Sequence, residues 1–196
     1  MNIQPTPLML FAVFASLSVN LPLQCGLGLR GIAVSQKAGK RPPLAKLGIF
    51  FSTVLLLWIV FSYLISSLPL GLFMYVLLFP MSALTYLGLE RMVYRFMLRK
   101  APESDGPINS HDGLAATALF ITLNIAEGFL EAAILSLGFV LGILLAFVIL
   151  SEIRRRSTLE ATPHFLRGVP LTLISMGLLS LVFSSAALMF FRAIGG

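Results

Sequence analysis

Residues 47–66 read LGIFFSTVLLLWIVFSYLIS, twenty positions without a charged side chain. As a helix this run is about 30 Å long, the thickness of a bilayer's hydrocarbon core. Three more stretches of the same kind follow at residues 70–89, 132–150 and 169–191, the first with Pro80 inside it as a kink. Composition agrees with them, since 58% of the 196 residues are hydrophobic and 11% are charged. A soluble domain carries about 25% charged residues, so this chain lacks the charge to cover a water-facing surface. One cysteine excludes an intrachain disulfide framework. An integral membrane protein with lipid as its partner is what remains.

Two further segments are apolar but irregular. Residues 7–29 are uncharged, yet their second half reads NLPLQCGLG over 20–28, poor material for a lipid-facing helix. A cleavable signal peptide would begin with a positive region, but no basic residue precedes Arg30, so this segment is read as a span. Residues 113–126 are apolar for 14 positions, roughly 21 Å of helix and too short to cross alone. The count is six segments, the first and fourth broken or short.

The charges fix an orientation. Arg30, Lys37, Lys40, Arg41 and Lys46 fall in the first loop, and Arg91, Arg95, Arg99 and Lys100 in the third. Arg154, Arg155, Arg156 and Arg167 fall in the fifth, and the second and fourth hold none. Six spans put 13 of the 14 basic residues on one side, cytoplasmic by the positive-inside rule, with both termini outside. The net charge of +6 therefore belongs to membrane loops and not to a nucleic-acid-binding face, because the aromatic residues lie inside the apolar runs.

Six spans divide into two halves of three with opposite topology, about residues 1–100 and 101–196, within a single membrane domain. The irregular first and fourth segments then occupy equivalent positions, and paired interrupted helices of this kind mark a site near the midplane. The candidate midplane or cavity residues are Asn20, Gln24, Cys25, His111, Asp112 and Asn124. Glu127 and Glu131, four apart, would share a helix face, or else mark the outer loop between spans four and five. Gly138 and Gly142 form a small-xxx-small face suited to close helix contact. Arg154, Arg155 and Arg156 suit an anchor at the anionic inner leaflet, and Arg30 a side chain reaching to the interface. No nucleotide loop, zinc motif, catalytic triad or flavin-attachment motif is present, and no catalytic residue is assigned.

Residues 129–183 carry Gly142, the run Ser151-Glu152-Ile153-Arg154-Arg155-Arg156, Pro163, Arg167-Gly168 and LISMGLLSL at 173–181. This ungapped set resembles the small six-span membrane subunits of Rnf and Nqr electron-transport complexes, the RnfA, RnfE, NqrD and NqrE family. Val19-Asn20, Leu27-Gly28-Leu29 and residues 34–37 (VSQK) are similar, less closely, to that family's first-segment motif. The resemblance implies an all-α subunit of an ion-translocating electron-transport complex in a bacterial cytoplasmic (inner) membrane. Its implied partners are a paralogous six-span subunit in inverted orientation and other membrane subunits. It also implies a [2Fe–2S] cluster between the paired subunits, held by a cysteine from the first and fourth segments of each. Here the matching positions are Leu29 or Arg30, and Gly113 or Ile125 by a rival register, none of them a thiol. Cys25 lies four or five residues too early and has no second cysteine to join it. No cofactor is therefore expected in this chain. Two other functions fit the same pattern: a small secondary transporter using an inverted-repeat cavity, or a structural membrane scaffold.

Overall fold

The computed structural model describes residues 20–25, 44–65, 73–96, 113–159 and 169–195. Within them the chain is helical: α1 (Leu21–Cys25), α2 (Leu44–Ile59), α3 (Phe73–Phe96), α4 (Leu114–Ile125), α5 (Phe129–Leu159) and α6 (Val169–Gly195). A π-helical stretch, Val60–Ile65, continues α2. Three apolar helical stretches are long enough to cross a membrane: Leu44–Leu64, Phe73–Arg95 and Phe129–Ile153, of 21, 23 and 25 residues. That is the architecture of a multi-pass helical membrane protein. Helix is the form such apolar runs take in lipid, because each backbone N–H and C=O must find its partner within the segment. Pro80 lies inside α3 and does not end it. It does remove one helical hydrogen bond, since proline has no N–H.

The charged ends differ from the sequence expectation. α3 runs past Leu89 through Glu90, Arg91 and Arg95, and α5 runs past Leu150 through the arginines at 154–156. α6 likewise passes Arg192 before it stops. These arginines are helical where loops were expected. Neither 90–96 nor 151–159 contains a glycine or proline, and Arg and Glu are good helix formers. Glu152 also meets Arg155 at 3.3 Å and Arg156 at 3.1 Å across one turn. Pairs with this spacing support a helix.

Contacts fix the directions of the helices. α2 packs on α3, α4 and α5; α4 packs on α3 and α5; α1 packs on α5 and α6. Trp58, late in α2, meets Phe129 at the start of α5, with ring centroids 6.3 Å apart. Tyr75, early in α3, meets Phe120 in the second half of α4 at 5.5 Å. Ile49 and Phe50 share a core with Tyr86, Ala115, Leu135 and Phe139. α2 and α4 therefore run one way and α3 and α5 the other. Met176 of α6 packs with Ala146, Phe147 and Leu150, so α6 runs against α5. Lys46, Arg91, Arg95, Arg155 and Arg156 consequently gather at one end of the bundle, and Glu127, Glu131 and Arg192 at the other.

In lipid the hydrophobic effect does not drive helices together, so close packing and internal hydrogen bonding must. Thr53, Ser82, Thr122 and Ser136, one on each of α2 to α5, are all fully buried. They lie between a core cluster around Phe50, Tyr86 and Phe139 and another around Leu57, Leu78 and Leu119. Thr53 Oγ1 donates to the Ile49 carbonyl at 2.7 Å, Thr122 Oγ1 to that of Ala118 at 2.7 Å, and Ser82 Oγ to that of Phe79 at 2.8 Å. Each of these hydroxyls is thus satisfied within its own helix. Their small size lets the four backbones approach.

Candidate functional site

The two segments that read as irregular both start helices partway along the bundle. Asn20 stands just before α1, in the sequence Asn20-Leu21-Pro22-Leu23. Asparagine is a preferred helix cap, and proline is tolerated in the first turn, where the missing N–H has no helical partner. Asn20 Oδ1 accepts from the Leu23 N–H at 3.3 Å, and Asn20 Nδ2 donates to the Gly142 carbonyl at 3.1 Å. The side chain is 1% exposed, so both bonds are shielded from water. An unsatisfied amide in that setting would cost about 1–3 kcal/mol.

Gly142 lies near the midpoint of the apolar stretch Phe129–Ile153 of α5, and both it and Gly138 are buried. The small-residue face of α5 thus receives the first segment: Asn20 reaches its backbone, and α1 packs alongside. Leu23 then joins the cluster of Ala146, Phe147 and Leu150, so α1 heads from mid-bundle toward the basic end.

α4 begins at Gly113, whose φ of 72° is in the left-handed region that favours glycine. A β-carbon there would meet the Phe79 ring at 3.8 Å. α3 continues from Phe79 to Phe96, so α4 starts well inside the bundle and short of its basic end. No side chain caps that start. Instead the Gly113 carbonyl accepts from both the Thr117 N–H at 2.9 Å and Thr117 Oγ1 at 3.1 Å. Leu21 of α1 and Ala115 and Ala118 of α4 belong to one core cluster, so the two interrupted segments border a common interior.

The candidate residues distribute unevenly around this junction. Asn20 occupies it. Gln24 and Cys25 form the last residues of α1, and their side chains lie outside the described structure, as do Leu29, Arg30, His111 and Asp112 altogether. Asn124 is on the exposed side of α4 near its end, where Nδ2 donates to the Phe120 carbonyl at 2.7 Å, and so does not face the interior. Ile125 ends α4 at the far end from Gly113. Gly113 and Ile125 thus stand at the two ends of α4, Gly113 at the mid-bundle end.

Glu127 and Glu131 do not share a helix face. Glu127 precedes α5, and its N–H donates to Glu131 Oε2 at 2.9 Å in the first turn. This resembles a capping box, in which a glutamate reaches back to cover an orphan N–H, and the pair marks the turn between α4 and α5.

Two features escaped the sequence reading. On α3, Tyr86, Glu90 and Tyr94 stand four apart, with Tyr86 buried in the core and Tyr94 packed against it. Glu90, between them in sequence, is half-buried and stands next to Arg91 at the basic end of the bundle. The spacing was visible, but the span was taken to end at Leu89. The other feature is the buried hydroxyl layer, in which Ser136 Oγ has no hydrogen-bond partner among the described residues, nor does the buried Trp58 Nε1 nearer the acidic end. Among the described residues the interior thus holds one buried amide, that of Asn20, and four buried hydroxyls. No protein-family model matches the chain, and a comparison with curated proteins finds no match.

Proposed function

We propose that this chain is a membrane-integral subunit of an Rnf/Nqr-type ion-translocating electron-transport complex, without a [2Fe–2S] cluster of its own. The observation that carries the reading is the pair of mid-bundle helix starts at Asn20 and Gly113. They fall on the first and fourth segments, the two from which the family that residues 129–183 resemble draws its cluster ligands. In this reading six spans form two inverted repeats, both termini lie outside, and the basic end faces the cytoplasm of a bacterial inner membrane. The cluster needs two thiolates from each subunit, and the chain has one cysteine, at position 25. Gly113 and Ile125 have no ligating atom in their side chains. The junction then closes the interior of the chain itself, and the electron carriers belong to other chains.

The experiment is affinity purification of the intact chain from native membranes, with its companions identified and iron measured on the same sample. Recovery with a second six-span subunit and with flavin- or iron–sulfur-bearing chains supports the reading. Recovery as a lone chain contradicts it, and a stoichiometric two-iron centre ligated by this chain would overturn the cluster-free assignment.

A small secondary transporter is the second reading. It is favoured by the buried hydroxyls of Thr53, Ser82, Thr122 and Ser136 beside two interrupted helices, an arrangement that needs no redox partner. Substrate flux by the purified chain alone in liposomes would decide for it.

A further inference from the structure

The outer face of α3 carries one continuous ridge: Leu77, Leu84, Gly88, Arg91 and Arg95 recur at helical spacing, and all five are exposed. Leu84 is 70% exposed, and nothing lies within 4 Å of the position a Gly88 β-carbon would take. The ridge is thus apolar over most of its length, narrows to bare backbone at Gly88, and ends in two guanidinium groups one turn apart. Neither Arg91 nor Arg95 has a carboxylate partner among the described residues, whereas Arg155 and Arg156 share Glu152. Two like charges four residues apart on one helix face repel each other. A shared anion removes that repulsion, and a phosphate is the anion whose oxygens match paired guanidinium donors.

We propose that this ridge holds an anionic phospholipid, with Arg91 and Arg95 on the headgroup phosphate, the glycerol region over Gly88 and an acyl chain along Leu84 and Leu77. Charge complementarity selects the anionic headgroup, and the apolar run below it selects a lipid over free phosphate. The basic end of the bundle lies where an anionic inner leaflet supplies such lipids. The inference rests on the membrane placement of α3 and stands apart from the electron-transport reading.

The test is native mass spectrometry of the intact protein, equilibrated with equal amounts of phosphatidylglycerol and phosphatidylcholine. The wild type should retain phosphatidylglycerol preferentially. The double variant R91Q/R95Q should lose that preference roughly thirtyfold, since each basic residue near the surface contributes about one kcal/mol. Arg192→Gln, at the opposite end of the bundle, should keep it. Gly88→Leu, placed where there is open space, should weaken retention with both arginines intact, and it carries the test if the double variant does not fold. Equal retention of the two lipids by the wild type overturns the proposal. So does an equal loss in Arg192→Gln, unchanged retention in Gly88→Leu, or displacement of the lipid by millimolar inorganic phosphate alone.

Discussion

α4 and α6 are both apolar helices, and they are placed in opposite ways. α4 has 12 residues, and Ala115, Ala116, Ala118, Leu119 and Thr122 are buried against three neighbouring helices. α6 has 27 residues, and among those with described side chains only Met176 and Ala187 are buried. Length and hydropathy are thus no guide to what a membrane helix touches. Side-chain size is the better guide. α4 is rich in alanine and threonine on the side that its neighbours approach, while α6 presents Leu173, Ile174, Leu178, Leu181 and Leu188 outward. A short helix can begin at an uncapped glycine inside the bundle because other helices enclose it, whereas a lipid-facing helix has to satisfy its own backbone.

Substitutions at the two kinds of surface should separate them, and the largest effect is expected where the first segment meets α5. Gly142→Leu puts a side chain where Asn20 reaches the backbone, and should cost about 3 kcal/mol, read as loss of monodisperse protein in detergent. Ala118→Leu, at a site in α4 with no exposed surface, should cost about 2 kcal/mol by overpacking, seen as a lower unfolding midpoint. Asn20→Ala removes both the cap and the bond to Gly142, for about 1–2 kcal/mol. Asn20→Ser keeps a capping oxygen and should recover about half of that loss, a difference that thermal melts of the two variants can resolve. Leu181→Ala on the outer face of α6, 70% exposed, should change stability by about 0.5 kcal/mol or less. Equal sensitivity at Ala118 and Leu181 would dissolve the distinction between the two helices.

Much of this arrangement was legible in the residues. Uncharged runs located the spanning helices, and Asn20 and Gly113 stand at the two places where the pattern falters. The ends of α3 and α5 were not legible, because hydropathy treats an arginine as a stop, while a long arginine stem can follow a helix out of the apolar layer. The same stop leaves Glu90 outside the span, although α3 continues to Phe96. Gly138 and Gly142 announced a close contact without naming what would fill it. The partner is the chain's own first segment, 122 positions away in sequence. Asn124 misled because an asparagine in an apolar run looks like a buried ligand, when here its amide closes back on its own helix.

The helices alternate in direction, and the basic end that results is proposed to face the cytoplasm. This arrangement is tested most directly by single cysteines placed in a Cys25→Ala background and labelled with a membrane-impermeant maleimide from either side. Lys46→Cys, Arg95→Cys and Arg156→Cys should label only from the cytoplasmic side, and Glu127→Cys and Arg192→Cys only from the outside. Labelling of Lys46→Cys and Glu127→Cys from the same side would contradict it.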